Sequence, residues 1–332
     1  MRTLKLHQSA PIETQPLVLA TSDMPRPSYR SMLLRVRCCG VCHTDLHIVE
    51  GDLAPKKLPI TPGHQVVAIV EEIGSEVTHY NIGDRVGVPW LNSICGVCEY
   101  CRRGEENLCD FARFTGWDVD GGYADYLLAD EDIVVPIPAA FSDIDAAPLL
   151  CAGIVGYRSI RLADLHPGER LGIFGFGASG HIAIQIARAW NCPVDVFTRS
   201  EEHQALARSL GAEWVGRTED DSPQQLDRAI IFAPSGALIP IALKHLRKGG
   251  TLAINAIHTS PIPQMDYQLI YGERTIRTVA NATRRDAQEF MSIAAQIPIK
   301  SEVQTFPLAD ANEVLRLLKH SKIKGAAVLV NW

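Results

Sequence analysis

The chain has 332 residues, of which 46% are hydrophobic and 21% charged, and its formal net charge is −6 at pH 7. This length and composition are typical of a folded protein with two domains of ordinary size. No basic stripe could neutralise a run of phosphates, and no uninterrupted apolar run reaches about 18 residues, so nucleic-acid binding and a membrane span are excluded.

The N-terminal segment and the cysteine content both bear on the compartment. The first 20 residues lack the apolar core of a secretory signal, and Pro11 and Pro16 interrupt them. The chain contains nine cysteines, an odd number, and several are clustered at spacings typical of metal ligands. A reducing compartment fits these features better than secretion with disulfides, so we expect a cytoplasmic protein.

Residues 1 to about 140 are rich in glycine, proline and short runs with β-strand character. Three such runs are Ser31–Arg37, Gln65–Val70 and Asp84–Val88. Turn sequences such as Thr61-Pro62-Gly63 separate them. This pattern predicts an irregular β-rich unit with few helices.

Three candidate metal ligands lie far apart in the sequence. They are Cys42, followed by His-Thr-Asp, then His64, preceded by Pro-Gly, and Cys151, followed by Ala-Gly. Taken singly, a lone cysteine or histidine is more often a packed core residue than a ligand. Together they would form a three-ligand zinc site with a fourth, exchangeable position, which is the arrangement a catalytic zinc needs.

A second group of cysteines is compact in sequence. Cys95, Cys98, Cys101 and Cys109 follow the pattern C-x2-C-x2-C-x7-C. Four thiolates at this spacing can surround one tetrahedral ion and leave no position open for substrate, which predicts a structural zinc site. Two disulfides or an iron–sulfur cluster are the alternatives, and the spacing alone does not exclude the cluster.

From Arg170 onward, short apolar strands alternate with segments of helical periodicity. The predicted strands are Leu171–Phe174, Val194–Thr198, Ala229–Phe232 and Thr251–Ala256. The predicted helices between them are His181–Trp190, Glu201–Leu210 and Ala237–Leu246. This alternation predicts a parallel sheet with helices on both faces. A predicted amphipathic helix, Ala309–His320, and an apolar strand, Ala326–Val330, follow near the end of the chain.

A glycine-rich turn follows the first of these strands. Gly175, Gly177 and Gly180, with Ala178 and Ser179 between the last two, fit G-x-G-x-x-G at the start of a predicted helix. In that context the glycines let the backbone approach a pyrophosphate, and the helix N-terminus supplies amide donors and a positive dipole. A tight strand–helix turn without a ligand is the alternative.

The residues about 20 positions downstream indicate which dinucleotide fits. This chain has Thr198, Arg199 and Ser200 there, whereas Asp195 comes too early, inside the strand. An arginine flanked by hydroxyls can make charge-assisted bonds to a 2′-phosphate, which favours NADP(H) over NAD(H). Two glutamates follow and dilute the positive potential. The alternative is that Arg199 stacks on adenine and that NAD(H) is used.

Motifs spread over essentially the whole chain resemble those of the zinc-containing medium-chain alcohol dehydrogenases. They are Gly40–His47, Pro62–His64, the four-cysteine lobe, Cys151–Gly153 and Gly175–Gly180. The resemblance implies an α/β protein with a GroES-like β-rich catalytic domain, residues 1–143 and 281–332, and a doubly wound parallel-sheet (Rossmann) cofactor domain, residues 144–280. It also implies hydride transfer between a primary alcohol or aldehyde and NAD(P)(H), two zinc ions per chain, and a homodimer or homotetramer.

The resemblance also implies residue roles around the catalytic zinc. Cys42, His64 and Cys151 match its ligands, and Asp45 matches the carboxylate that orients the ligand histidine. Thr44 and His47 match the groups that pass a proton from the alcohol to solvent.

Further matches and departures concern the surroundings of the zinc. His43 matches a residue that contacts the cofactor pyrophosphate in relatives. Gln65 replaces a glutamate, Val155 replaces a threonine, and Ala326 replaces an arginine near the pyrophosphate. These departures concern rate, tuning and cofactor affinity, because none of them is a zinc ligand.

Two tryptophans are candidates for the substrate pocket. Trp90 follows a predicted strand and Trp117 lies in Thr115-Gly116-Trp117, although core packing explains both equally well. Leu53 stands where enzymes for very small alcohols often carry tryptophan, which implies a pocket for longer aliphatic or benzylic alcohols. A cinnamyl-type aldehyde reductase or a polyol dehydrogenase of the same fold is the nearest alternative. A non-catalytic zinc-binding structural protein, which needs only the four-cysteine site, is the alternative from another class.

Overall fold

A computed structural model describes residues 1–330, which form two compact units. The first unit comprises Met1–Cys151, Thr283–Gln296 and the chain from Lys300 onward, and the second comprises Ala152–Ala282 with Ile297–Ile299. Whether these units act as the two predicted domains, with boundaries at residues 143 and 281, stays a prediction. Within the described residues, no helix combines the length and the apolar character that crossing a membrane requires.

The first unit is built mainly from antiparallel strands. Its strands are β1 (Arg2–Leu6), β2 (Leu17–Thr21), β3 (Ser31–Val41), β4 (Gln65–Ile73), β5 (Arg85–Val88), β6 (Leu91–Ser93), β7 (Arg113–Phe114), β8 (Tyr126–Asp130), β9 (Val135–Pro136), β16 (Val303–Pro307) and β17 (Ala326–Val330). Its helices are α1 (His43–Glu50), α2 (Glu99–Arg102), α3 (Asp143–Ala146), α8 (Arg284–Ala294) and α9 (Ala311–Lys319). Seven strands form one sheet in the order β16-β17-β3-β4-β5-β9, with β8 paired to β3.

The pairing of β3 with β4 positions the candidate metal ligands. The two strands run antiparallel, and Gly40, near the end of β3, lies opposite Gln65, the first residue of β4. Cys42 follows β3 and His64 precedes β4, so the register brings these two residues side by side although 21 residues separate them in the sequence. Branched apolar residues that alternate toward the core hold this register in place.

The second unit contains a six-stranded sheet in which every pairing is parallel. Its strands are β10 (Leu171–Phe174), β11 (Val194–Phe197), β12 (Trp214–Gly216), β13 (Leu226–Ile231), β14 (Leu246–Ile254) and β15 (Thr275–Thr278), in the order β12-β11-β10-β13-β14-β15. Its helices are α4 (Ala152–Leu162), α5 (Ala178–Ala189), α6 (Glu201–Ser209) and α7 (Leu238–His245). The prediction of a parallel sheet with helical crossovers is confirmed.

Several element boundaries differ from the predicted ones. Helix α5 begins at Ala178, three residues before the predicted His181, because Gly177 takes the extended N-cap conformation and the polar first turn carries no apolar periodicity. Strand β14 begins at Leu246 rather than Thr251, since Leu226 of β13 pairs with Leu246 ahead of a register shift.

Five of the helices in the described chain were not predicted: the two four-residue helices α2 and α3, and the longer α1, α4 and α8. The sequence carried a usable signal for α8, where Thr283 Oγ1 accepts a hydrogen bond from Asp286 N and Asp286 Oδ2 accepts one from Thr283 N. This reciprocal capping box has the spacing of three residues that marks a helix start. Helix α1 also begins with a reciprocal capping box, between Cys42 and Asp45, but cysteine is not a usual N-cap residue, so this sequence did not mark a helix start.

Candidate active site

Cys42 lies at the junction between β3 and α1. Its backbone is extended (φ −138°, ψ 176°), and its Sγ accepts a hydrogen bond from Thr44 N at 3.3 Å. The carboxylate of Asp45 turns back, so that its Oδ2 accepts a hydrogen bond from Cys42 N at 3.0 Å. These capping bonds fix the sulfur at a helix N-terminus, where the helix dipole favours a thiolate.

The three predicted ligands converge on one point. His64 is fully buried, with its Nε2 3.3 Å from Cys42 Sγ and its Nδ1 3.0 Å from Asp45 Oδ1. The ligand atoms of Cys42, His64 and Cys151 all lie within 4.8 Å of one another. Sulfur and nitrogen ligands around one tetrahedral zinc lie about 3.5–3.8 Å apart, so the three groups fit a single ion that keeps a fourth position.

The charges of this site are mutually dependent. A hydrogen bond from the Cys151 thiol holds the pKa of Cys42 well below its usual range, and the same bond raises the pKa of Cys151. Burial alone would lower the pKa of His64, but the Asp45 carboxylate and the Cys42 thiolate outweigh it and raise that pKa to about 10. Two protons, on His64 and Cys151, therefore neutralise a site rich in negative charge. A divalent cation could replace both protons.

His47 has a carboxylate partner that the sequence analysis did not identify. Its Nδ1 lies 3.0 Å from Oδ2 of Asp52, which is exposed beyond the end of α1. Because a carboxylate only accepts, Nδ1 must carry the proton, and Nε2 of the neutral ring is left as an acceptor. A spacing of five residues does not place two side chains on one helix face, so periodicity gave no signal for Asp52.

The four-cysteine set also comes together. Cys95 Sγ lies 3.6 Å from Cys109 Sγ and 3.9 Å from Cys101 Sγ. Cys95 Sγ accepts a hydrogen bond from Cys98 N at 3.4 Å, and Cys98 Sγ accepts one from Cys101 N at 3.5 Å. The backbone N–H groups of Val97 and Cys98 lower the pKa of Cys95 to about 6. The four sulfurs all lie within 4.8 Å of one another, which fits a closed zinc site.

The two candidate pocket tryptophans belong to one aromatic cluster. The Trp90 ring lies 4.9 Å from the His64 ring in an edge-on arrangement and is stacked on Trp117 at 6.0 Å. Phe114, not predicted, is stacked on Trp90 at 5.3 Å. Trp117 is held by a hydrogen bond from its Nε1 to Ala54 O at 2.9 Å, while half-buried Leu53 packs against the same core. Trp90 is itself 92% buried, so it serves core packing as well as lining the surroundings of His64.

The glycine-rich turn has the backbone that the motif requires. Gly175 lies at φ +87°, and a Cβ atom there would meet Ala233 Cβ at 2.9 Å. A Cβ atom on Gly180 would come within 3.0 Å of Gly175 O, whereas one on Gly177 would meet nothing within 4 Å. The first and third glycines thus allow close packing, and the second leaves open space at the N-terminus of α5. That space is where a pyrophosphate would bind.

The residues after β11 differ in exposure and in the partners that they already have. Arg199 is exposed and makes no ion pair within residues 1–330, whereas Thr198 is buried and Ser200 caps α6 by accepting a hydrogen bond from His203 N at 3.3 Å. Asp195 is fully buried and bound to Arg170 Nη1 at 2.7 Å. Asp195 is therefore committed to an internal ion pair, as its early position in the strand suggested, and Arg199 is the charged side chain left at the end of the strand.

The remaining predicted residues occupy varied surroundings. His43 is exposed in the first turn of α1, and Gln65 is buried with its side chain against Gly40. Val155 lies in α4, where its carbonyl accepts a hydrogen bond from Ser159 Oγ. Ala326 is buried and paired with Val303 of β16.

Comparisons with known proteins agree with this architecture. Residues 29–139 match the family model described as alcohol dehydrogenase GroES-like domain, and residues 178–296 match the one described as zinc-binding dehydrogenase. The chain is 45% identical to a probable alcohol dehydrogenase, AdhA, of Mycobacterium tuberculosis, over 99% of this chain and 97% of that protein. The predicted GroES-like and Rossmann-type fold classes are confirmed.

Two solved structures illustrate the range of similar proteins. A cinnamyl alcohol dehydrogenase from Sorghum bicolor has a TM-score of 0.90 and 26% identity, covering 99% of this chain and 97% of that one. An acetophenone reductase from Geotrichum candidum, in complex with NAD, has a TM-score of 0.87 and 26% identity with the same two coverages, 99% and 97%. The names of these neighbours differ in substrate, so the fold alone does not fix the substrate.

Proposed function

Because this chain belongs to the zinc-containing medium-chain alcohol dehydrogenase family, we propose that it is a zinc-dependent dehydrogenase that transfers hydride between a primary alcohol or aldehyde and NADP(H). Membership makes it an oxidoreductase of this fold. The single observation that carries the zinc chemistry is the convergence of Cys42, His64 and Cys151 around one point beside Asp45. The four-cysteine lobe would hold a second, structural zinc.

The residues around the candidate zinc would supply binding, orientation and proton transfer. A zinc ion held by Cys42, His64 and Cys151 would act as a Lewis acid on the oxygen of an alcohol or aldehyde. Asp45 fixes the tautomer of His64 by accepting from Nδ1, which leaves Nε2 directed at Cys42 Sγ. Thr44 and His47 lie three residues apart on one face of α1, so a proton leaving the alcohol can pass from the hydroxyl to Nε2 of the imidazole.

The cofactor choice in this proposal rests on Arg199. One similar structure carries NAD, so family membership leaves the choice open. An exposed guanidinium with no carboxylate partner in the described chain is free to bind a 2′-phosphate, and the carboxylate that would favour NAD, Asp195, is bound to Arg170 instead. The hydride acceptor would be the nicotinamide of a dinucleotide whose pyrophosphate lies against Gly177 and the first turn of α5.

The substrate in this proposal is a longer aliphatic or benzylic alcohol. Trp90 presents its ring to His64, with Trp117 stacked behind it, and aromatic rings of this kind favour flat apolar groups. Leu53 leaves more space than a tryptophan would. A cinnamyl-type reductase is the second candidate, since a similar structure bears that name.

The proposal extends to assembly and compartment. We infer that copies associate through the exposed strand β15 at the edge of the parallel sheet, giving a homodimer or a higher homo-oligomer. All nine cysteines are free thiols, and seven of them belong to the two metal sites, which fits a reducing cytoplasm.

Metal content and activity of the Cys42→Ser variant test the function. We expect two zinc ions per wild-type chain and activity on alcohols or aldehydes with NADP(H), whereas Cys42→Ser should bind one zinc and lose activity by at least about 10³-fold. Cys192→Ser is the matched control, because that thiol is buried in the second unit and bonded to His166 O.

The alternatives give other results in the same assays. A non-catalytic structural protein would bind one zinc in both the wild type and Cys42→Ser and would turn over no substrate. A cinnamyl-type or polyol enzyme would keep the two-zinc pattern but prefer its own substrates in a panel assayed with both cofactors. Full turnover by Cys42→Ser would refute the ligand assignment.

A further inference from the structure

Tyr123 is a buried residue beside the zinc ligands that no motif had singled out. Its side chain is 0% exposed, and within residues 1–330 its hydroxyl has no hydrogen bond of acceptable geometry. A buried hydroxyl without a partner is uncommon in a well-packed protein, because it forfeits its bonds to water without replacement. The position of this hydroxyl therefore needs an explanation.

The backbone around Tyr123 is fixed to the segment that carries His64. Tyr123 N donates to Pro62 O at 3.0 Å, and Gly122 N donates to Gly63 O at 2.8 Å. The ring lies so close to Gly63 that a Cβ atom there would be 2.5 Å from Tyr123 Cδ1. Gly63 also has φ +99°, so only glycine suits both the ring and the backbone. Tyr123 thus packs directly behind the residue that precedes His64.

The Asp45 carboxylate has unused acceptor capacity on one oxygen. Its Oδ1 receives two hydrogen bonds, from Gly63 N at 3.2 Å and His64 Nδ1 at 3.0 Å. Its Oδ2 receives one, from Cys42 N at 3.0 Å. A carboxylate accepts about four hydrogen bonds, and Asp45 is 0% exposed, so bulk solvent does not reach its remaining acceptor position.

The Tyr123 hydroxyl and the Asp45 carboxylate act on each other. Burial raises the pKa of Tyr123 well above its usual range, and the charge of Asp45 raises it further. Any neutral phenol carries an O–H donor, so the Tyr123 hydroxyl can donate to a carboxylate. The two side chains lie within hydrogen-bonding range of each other, so the Tyr123 hydroxyl and the carboxylate with spare acceptor capacity are neighbours in a buried site.

We propose that Tyr123 is a positioning residue for the metal ligand His64: its hydroxyl donates to the free acceptor position of Asp45 and holds that carboxylate against His64 Nδ1. The inference rests on the proposed zinc function. Partners that orient a metal-bound histidine affect metal retention, and Tyr123 acts one step further out, through Asp45.

The test is the rate at which the full-length protein loses its exchangeable zinc to a chromogenic chelator. Tyr123→Phe keeps the ring and removes only the hydroxyl, and we expect zinc loss about three- to tenfold faster than in the wild type. Tyr80→Phe is the matched control, because it removes a tyrosine hydroxyl that donates to Val134 O at 3.0 Å, away from both metal sites. That control should release zinc at the wild-type rate.

A double-mutant cycle separates positioning from packing. In an Asp45→Asn background the added change Tyr123→Phe should have little further effect, since the carboxylate through which it acts is gone. Zinc loss from Tyr123→Phe at the wild-type rate or slower would overturn the inference, as would an acceleration that persists in the Asp45→Asn background. A wild-type chain without exchangeable zinc would contradict the proposed function itself, which distinguishes the two failures.

Discussion

Arg199 is the residue on which the choice of cofactor depends. The side chain is exposed at the end of β11 and has no carboxylate partner within the described chain. Hydrogen bonds to a charged group contribute about 1.5–3 kcal/mol, so Arg199→Ala should raise KM for NADP(H) by roughly 10- to 100-fold and leave KM for NAD(H) nearly unchanged. Steady-state kinetics with both cofactors measure this difference.

Arg208→Ala is the control for that experiment, because Arg208 is an exposed arginine in the last turn of α6, the helix that follows Arg199. It should leave both KM values unchanged. Equal losses with both cofactors in Arg199→Ala would indicate that the guanidinium stacks on adenine, and the NADP(H) preference would then be wrong.

Residues that carry a motif were predictable from the sequence, and residues that act through the fold were not. Cys42, His64 and Cys151 could be found because each stands in a recognisable local sequence. Tyr123 and Asp52 contact the site only after β3 and β4 pair and α1 ends, so no local pattern marks them. Residues that orient a ligand from a distant part of the sequence could therefore not be predicted.

Among the elements, the turn between β10 and α5 should affect both the stability of the protein and the binding of the cofactor. Gly175 lies in the left-handed region with Ala233 in close contact, so Gly175→Ala should destabilise the protein by about 1–3 kcal/mol and weaken dinucleotide binding. Denaturant unfolding without cofactor and a fluorescence titration with NADP(H) measure the two effects.

Gly177→Ala separates the two effects. Its backbone is extended at φ −84°, and a Cβ atom there would meet no neighbour within 4 Å. Stability should therefore be unchanged, while a methyl group at the helix N-terminus should hinder the pyrophosphate and weaken the cofactor. Unaltered stability in Gly175→Ala would mean that the turn relaxes at no cost, contrary to this account.

The central strands of the parallel sheet and the helices between them were predicted, whereas helices α1, α4 and α8 were not. The strands of the parallel sheet consist of apolar runs such as Leu171–Phe174, buried on both faces, and this pattern needs no tertiary knowledge. Helix α1 has eight residues, and its first turn consists of polar residues next to the candidate metal site, so it lacks the apolar periodicity of a core helix. The helix is stabilised by capping from Cys42 and Asp45. Cysteine is not among the preferred N-cap residues, so the sequence did not indicate this cap.

At the scale of the whole molecule, the candidate metal sites and the candidate dinucleotide site lie in different segments of the chain. Both candidate metal sites lie in the antiparallel unit, and the glycine-rich turn lies in the parallel unit. The sequence predicted this division because ligand spacing and strand–helix alternation occur in separate stretches. The homodimer or homotetramer expected from the family resemblance stays a prediction, and the surface that would mediate it could not be predicted because its residues share no motif.

The surface we propose for assembly is called the edge patch here; it consists of exposed apolar side chains in and before strand β15, namely Ile257, Ile262, Tyr267, Tyr271 and Ile276. All five side chains are exposed, from 37% for Ile276 to 65% for Tyr267. Strand β15 lies at the end of the strand order, and each of its four residues is exposed. An exposed edge strand offers unpaired backbone groups to another copy, and two-fold pairing would continue the sheet with the same strand from each copy.

Ile276→Asp should therefore disrupt the assembly. A carboxylate on β15 would meet its own symmetry mate across the two-fold axis, so repulsion and desolvation act together, and the mass in sedimentation velocity should fall to about half. Ile82→Asp is the matched control, because Ile82 is 65% exposed in a turn of the first unit. If Ile276→Asp keeps the wild-type mass while the control does too, subunits associate elsewhere and the edge patch has another role. The candidate metal ligands all lie in the first unit and Ile276 in the second, so Ile276→Asp should keep the zinc content of the wild type, which separates lost assembly from misfolding.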